Sequence, residues 1–305
     1  MPTVRPRRSV LYVPGANARA LEKARSLPAD GLLLDLEDAV APAAKDEARA
    51  LVVAALGRRP DGGFGRREVV VRVNGLDTPW GAADLSAVAL APGGLDAVCL
   101  PKVESADAVR AAEAALVSAG APASLALWAM IETPRGVLAA PEIARASPRL
   151  ACLVAGTSDL VKDLRARHTP GRAEVLTSLG LLLLAARAAG LDALDGVHLD
   201  LADAAGFAAA CRQGRELGFD GKTLIHPSQL AAANAAFAPG PEELAHARKV
   251  VETHAAAVTA GRGLAVVDGR LVEALHVADA ERLLALAEAI EVAAGAGATD
   301  PAAGA

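Results

Sequence analysis

Aromatic side chains are scarce in this chain: one Tyr, two Trp and four Phe among 305 residues. A base-stacking platform needs aromatics interleaved with basic residues, and no such stretch occurs. Positive charge is not in excess either, since 31 Lys and Arg face 36 Asp and Glu, a formal net charge of −5. These two absences exclude a nucleic-acid footprint. Long apolar runs are also missing. The longest, around Leu181 to Ala186, is far too short for a bilayer. No signal-type apolar core follows Arg5, Arg7 and Arg8. The three cysteines, Cys99, Cys152 and Cys211, lie too far apart for a zinc site or a disulfide framework. Together these absences predict a soluble cytoplasmic protein with reduced, buried thiols and neither membrane nor nucleic-acid partners.

What is present is Ala, Val and Leu in a chain that is 53% hydrophobic. Eight short apolar runs, at 9–14, 31–38, 68–74, 97–103, 125–133, 150–156, 194–200 and 221–227, alternate with Ala/Glu/Arg segments of helical character. Ser105-Ala-Asp107 reads as a helix start, and Gly120 and Gly190 as helix stops. Near-continuous apolar strands alternating with helices imply a parallel sheet covered by helices. Eight such units predict an α/β chain with a closed (β/α)8 TIM barrel over residues 1–230. No G-x-G-x-x-G follows the first run, which removes the dinucleotide-binding alternative. Residues 231–293 read as a C-terminal extension placed at a subunit interface. It breaks at Pro239-Gly-Pro241, forms a hairpin over 264–272 turning on Asp268-Gly269, and ends in a helix over 278–293. Residues 294–305 are expected to be a disordered tail.

Polar residues gather at the ends of the runs: Asp35, Glu37 and Asp38; Arg72 and Asn74; Lys102 and Glu104; Glu132; Asp159; His198 and Asp200; His226. In a barrel, those ends form the face that carries chemistry. Glu132 closes Leu125-Ala-Leu-Trp-Ala-Met-Ile-Glu132, and Asp159 follows the run at 150–156. A carboxylate beside a buried strand needs a cation. Two of them on neighbouring strands can share one hard divalent ion, magnesium first and manganese as its substitute. Arg72, in Val69-Val-Val-Arg-Val-Asn74, needs an anion. Its fork suits a substrate carboxylate or enolate oxygen, or else Glu37 or Asp38. Lys45 and Arg49 are expected to offset the repulsion between Asp35 and Glu37. Arg19 and Lys23, one helical turn apart after Pro14-Gly15, fit either a bound phosphate or a solvated face balanced by Glu22 and Asp30. His226 reads most simply as a structural hydrogen-bonding group, Lys102 fits either that or a site role, and no Ser-His-Asp or Cys-His order stands out.

Read in order, Arg8-Ser-Val-Leu-Tyr-Val-Pro-Gly15, Leu34-Asp-Leu-Glu-Asp-Ala-Val40, Val71-Arg-Val-Asn74, Leu100-Pro-Lys-Val-Glu104, Met130-Ile-Glu-Thr133, Gly156-Thr-Ser-Asp159 and Gly221-Lys-Thr-Leu-Ile-His-Pro-Ser-Gln229 resemble the citrate lyase β-subunit-like family. These are CoA-ester lyases of the aldolase/citrate lyase superfamily. The resemblance implies a magnesium-dependent carbon–carbon lyase acting on a β-hydroxyacyl-CoA such as malyl-CoA, citramalyl-CoA or a citryl thioester. Its partners would be a CoA thioester and a 2-keto acid, and its assembly a homo-oligomer, a trimer or hexamer. By matching position, Glu132 and Asp159 would hold the metal, and Arg72 the carboxylate or developing enolate. Glu37 and Asp38 would shape the metal's water shell, and Asn17, Arg19 and Lys23 would lie toward CoA. Glu273 stands where lyases of this family usually carry an Asp after the last hairpin. A carboxylate one methylene longer opens the alternative of a thioesterase with the same metal site. A second alternative is the β-subunit of a complex acting on an acyl-carrier-protein thioester.

Overall fold

A computed structural model describes residues 4–59, 63–91, 93–261 and 264–295. β1 (Ser9–Pro14), β2 (Gly31–Asp35), β3 (Glu68–Arg72), β4 (Ala97–Leu100), β5 (Ala126–Ile131), β6 (Leu150–Ala155), β7 (Asp192–Asp195) and β8 (Gly221–Leu224) form a closed barrel in chain order. Neighbouring strands are parallel, and β8 returns to β1 through Ser9 opposite Lys222. Helices fill the crossovers, beginning with α1 (Ala18–Ala24), α2 (Lys45–Gly57), α3 (Gly81–Ala89) and α4 (Ala106–Ser118). They continue through α5 (Pro134–Leu138), α6 (Ala140–Ile143), α7 (Thr157–Asp163), α8 (Leu176–Ala188) and α9 (Ala204–Leu217). The (β/α)8 expectation holds. The expected cap at Ser105 also forms, its hydroxyl accepting from Ala108 N at 3.2 Å.

Strand periodicity of two sorts each side chain to one wall of the barrel. Val10, Leu33, Val70, Ala97, Cys99, Trp128, Met130, Cys152, Val154 and Leu194 pack together as the interior. Their alternates, such as Leu11, Leu34, Val71, Leu127 and Leu153, pack with the helices. All three cysteines are buried and unpaired. Counting on by two from Val10, Leu33 and Val70 brings Tyr12, Asp35 and Arg72 into the interior layer nearest the strand C-termini.

Charge closes the opposite end. The Arg7 guanidinium lies 5.2 Å from the Trp128 ring centroid, bonds Glu68 at 2.6 and 2.7 Å, and pairs with Asp192. Here the sequence reading needs correction, because β7 covers Asp192–Asp195 and not 194–200. Two acids in so short a strand argue against it until their partners are known. Arg7 takes Asp192, while Arg172 and Lys222 take Asp195 at 2.6 and 2.7 Å behind the barrel wall. Residues after Asp195, including His198 and Asp200, form a loop.

The chain divides into two compact units. One runs from Arg7 to Phe237, seven residues beyond the expected barrel limit. The reason is α10 (Leu230–Phe237): Ala233 and Phe237 are buried in the barrel's outer core, and Asn234 accepts from the Ser9 hydroxyl at 2.7 Å. The other unit contains Ala238 onward, with the segment before Arg7. In it α11 (Pro241–Thr259), the hairpin β9 (Ala265–Val267) and β10 (Arg270–Val272), and α12 (Ala274–Gly295) share a small core including Val250, Val267 and Val272. Asp268 and Gly269 have φ of 51° and 76°, as the two-residue turn requires. The last helix begins four residues before the expected start and extends to Gly295. Of the expected tail, residues 296–305 lie outside the described residues. No helix among the described residues is long and apolar enough to cross a membrane.

The β8–β1 seam depends on Gly221. A Cβ there would lie 2.7 Å from the Arg7 carbonyl carbon and 2.8 Å from that of Arg8. Gly221→Ala is expected to lower stability by at least about 2 kcal/mol, since overpacking against backbone has no side chain to yield. An unchanged urea midpoint would contradict this packing.

Candidate active site

Register builds the mouth of the barrel. Asp35 and Arg72 stand opposite each other in the β2–β3 pairing, both facing inward. Arg72 Nε and Nη2 donate to Asp35 Oδ1 and Oδ2, each at 2.7 Å. The guanidinium carbon lies 5.0 Å from the Tyr12 ring centroid. Its remaining nitrogen, Nη1, reaches Glu37 Oε2 at 2.9 Å and Asp38 Oδ2 at 3.3 Å. The fork expected to grip a substrate carboxylate is therefore closed by Asp35, and only Nη1 is directed to the other acids. The alternative expectation, a pairing with Glu37 or Asp38, is met through Nη1, while the two-pronged partner is Asp35.

The expected neutralisation of Asp35 and Glu37 by Lys45 and Arg49 also needs correction. Lys45 is buried and donates to the carbonyls of Leu36 and Glu37, both at 2.8 Å, and to Asn74 Oδ1 at 2.7 Å. It holds the shape of the acidic loop through its backbone. Arg49 pairs instead with Asp84 and Asp46. The cation that completes the acidic cluster is Lys102, whose ammonium bonds Glu37 Oε1 and lies 3.5 Å from Asp38 Oδ1. Burial pushes the Glu37 carboxyl up against the pull of Arg72. Burial acts the same way on Asp38, but its contact with Glu37 and the charges of Arg72 and Lys102 hold it below the usual range.

Glu132 follows β5 directly and is 2% exposed. Its Oε1 accepts from Lys102 N at 2.7 Å. Burial drives its carboxyl up to about 7, despite that bond and the nearby Arg72 charge. The β5–β6 ladder sets Ile131 opposite Ala155 and continues as Gly156 N donates to Ile131 O at 3.1 Å. Gly156 lies against the Glu132 side chain, because a Cβ there would be 2.5 Å from Oε2. Asp159 stands three residues further on, in the first turn of α7 and not at the strand end itself. It is half-buried and has no ion pair among the described residues. The neighbouring Ser158 hydroxyl is buried without a partner.

A hard cation fits these residues. The donors are carboxylate oxygens, one is buried without a full counter-charge, and a second is unpaired in the helix turn that follows the adjacent strand. Among the described residues no group of three or more His, Cys, Asp or Glu converges on a point. Glu132 and Asp159 could thus provide two ligands and leave the remainder to water or substrate oxygens, as magnesium commonly allows.

Asn17 caps α1, accepting from Ala20 N at 3.0 Å. Arg19 and Lys23 are exposed on that helix and line an open depression with Glu22, Arg25, Ser26 and Gly63. Glu22 is engaged by Arg25 and Arg58, and Asp30 by Arg8. Neither forms an ion pair with Arg19 or Lys23 among the described residues. Glu273 is exposed at the foot of α12 in the C-terminal unit, where its N–H donates to His276 Nδ1 at 3.0 Å. His226 caps its own turn through Ser228.

The HpcH/HpaI aldolase/citrate lyase family model matches residues 8–227. The chain belongs to that family. A (3S)-malyl-CoA thioesterase of Cereibacter sphaeroides KD131 is 51% identical over 285 residues, covering 93% of this chain and 96% of that protein. The citrate lyase subunit beta of Escherichia coli K12 is 41% identical over 289 residues, 93% of this chain and 94% of that one. Among solved structures, CitE from Mycobacterium tuberculosis in complex with magnesium, acetoacetate and coenzyme A shares 34% identity. It covers 93% of this chain and 98% of its own, with a TM-score of 0.72. Sequence reasoning about this aldolase/citrate lyase barrel passed over Asp35, Lys102 and Gly156 as site-forming residues. The i, i+2 count from Leu33 and from Val70 was the signal that would have placed Asp35 beside Arg72.

With a chelator present, Glu132 should set a pH dependence of stability. A carboxyl whose pKa is higher folded than unfolded binds more protons in the folded state, so its ionisation destabilises the fold. The loss runs from about pH 4.5 to about pH 7, and its full size is on the order of 3 kcal/mol. Glu132→Gln should flatten that part of the unfolding free energy against pH. Parallel curves for the two proteins would show that Glu132 is not the buried acid described.

Proposed function

We propose that this protein hydrolyses the CoA thioester of a short hydroxy-dicarboxylic acid of the malyl class, with magnesium bound by Glu132 and Asp159. The observation that carries the metal-dependent reading is the pair of carboxylates beyond adjacent strands, Glu132 after β5, buried and under-compensated, and Asp159 in the first turn of α7, unpaired among the described residues. Hydrolysis is preferred because the 51% identical relative that spans nearly the whole chain is named a malyl-CoA thioesterase, against 41% for a citrate lyase β subunit. Glu273, in place of the shorter acid usual in lyases of this family, points the same way.

In this reaction a water oxygen bonds to the thioester carbonyl carbon, and its proton passes to a carboxylate. The C–S bond breaks, and CoA leaves as a thiolate that then takes a proton. When bound, magnesium supplies Lewis-acid polarisation and orientation of hard oxygen groups. Arg72 supplies fixed positive charge for the developing oxyanion or for the substrate carboxylate. Asp35 and Tyr12 already hold its guanidinium, so little reorganisation accompanies that role. Glu37 and Asp38 keep Nη1 oriented and shape the water around the metal side. Glu273 is assigned as the proton-accepting carboxylate, delivered by a neighbouring copy in a homo-oligomer. Asn17 fixes the start of the helix on which Arg19 and Lys23 meet the phosphates of CoA.

A second reading is carbon–carbon cleavage of the same thioester class to acetyl-CoA and a 2-keto acid. Membership of an aldolase/citrate lyase family favours it, and the metal site serves either reaction. Malyl-CoA separates the two. Malate and free CoA, formed with magnesium and not with a chelator, are the expected products. Glyoxylate and acetyl-CoA would replace this reading with cleavage, and no turnover of any hydroxyacyl-CoA would sink both. For the CoA contacts, Arg19→Ala with Lys23→Ala should raise KM about tenfold and leave kcat nearly unchanged, since exposed charges act on uniform binding. An unaltered KM at low salt would remove CoA from that helix.

A further inference from the structure

Lys102 occupies a backbone conformation that lysine rarely adopts. Leu100 pairs with Ala129 at the end of β4, and the ladder resumes when Val103 N donates to Met130 O at 3.1 Å. Between them stand Pro101, which has no N–H, and Lys102, with φ of 48°. Glycine would occupy this left-handed region without strain. A lysine held there needs a compensating role.

The consequences lie on both sides of the mouth. The left-handed turn takes the Lys102 N–H out of the ladder and directs it to Glu132 Oε1 at 2.7 Å. The same residue returns its ammonium to Glu37 and to Asp38. Arg72 meets those two acids at 2.9 and 3.3 Å. Glycine could reproduce the N–H but not the ammonium, and a β-branched residue could provide neither readily.

We propose that Lys102 is a positioning residue: its strained backbone orients Glu132 while its ammonium holds Glu37 and Asp38, tying the metal side of the mouth to the Arg72 side. The inference rests on Glu132 being a metal carboxylate, as proposed above. It extends that reading to a residue whose side chain need not touch the ion or the substrate.

The test compares Lys102→Gly with Lys102→Val, using Mn2+ titration by calorimetry without substrate alongside turnover of malyl-CoA. Both variants lack the ammonium, so both should lose about tenfold or more in kcat/KM. Lys102→Arg should recover part of that loss. Only the Val variant resists the left-handed backbone, so it should bind Mn2+ about tenfold more weakly than the Gly variant. Equal Mn2+ affinity in folded Gly and Val variants would overturn the backbone role. Wild-type turnover in Lys102→Gly would overturn the ammonium role, and that result decides even if the Val variant does not fold. No Mn2+ binding by the wild-type protein would overturn the metal reading itself and this inference with it.

Discussion

A two-pronged ion pair inside the top of the barrel, Asp35 with Arg72, is the contact on which the rest of the mouth depends. Strand register makes it, because the two residues are direct neighbours across β2 and β3 and both fall on the inward count. Removing one partner of such a buried pair leaves an uncompensated charge and costs about 3–5 kcal/mol. The pair also decides chemistry. With two donors committed to Asp35, Arg72 presents one nitrogen in a fixed direction, and Glu37 and Asp38 arrange themselves around it.

Charge balance across the mouth is the physical ground for the cation proposed there. Asp35, Glu37, Asp38 and Glu132 face Arg72 and Lys102, so acids outnumber bases before Asp159 is added. Burial acts most visibly on Glu132, whose carboxyl rises to about 7 despite the nearby Lys102 and Arg72. A dication held by Glu132 and Asp159 would relieve this excess of acids, and the same ion would serve a thioester substrate. The metal and the chemistry proposed for the site thus have a common electrostatic origin.

The mouth is supported by charge elsewhere in the barrel. Arg7 closes the floor against Trp128, Glu68 and Asp192, and Lys222 with Arg172 encloses Asp195 behind the wall. In these networks each acid has a cation in direct contact. Apolar strands with small residues give the barrel its shape, and paired charges lock its register. At the mouth, Glu132 is buried with no ion pair among the described residues.

Periodicity by itself was enough to determine the barrel: eight apolar runs separated by helical segments leave few other closed arrangements, and polar residues at their ends mark the active face. The candidate metal carboxylates Glu132 and Asp159 were legible for the same reason, as acids next to strands too apolar to accept them uncompensated. Pairing was legible only in part, where Arg72 was read against Glu37 or Asp38. Lys45 and Arg49, near the acidic loop in sequence, hold its carbonyls and the neighbouring helices, while Arg72 from β3 and Lys102 from the turn after β4 neutralise its acids. Strand β7 was misplaced because its two acids meet cations from three distant segments. A chain's periodicity is a property of neighbours along it and can be read there. Which charge meets which is settled by register and closure, and these exist only once the strands have been brought together.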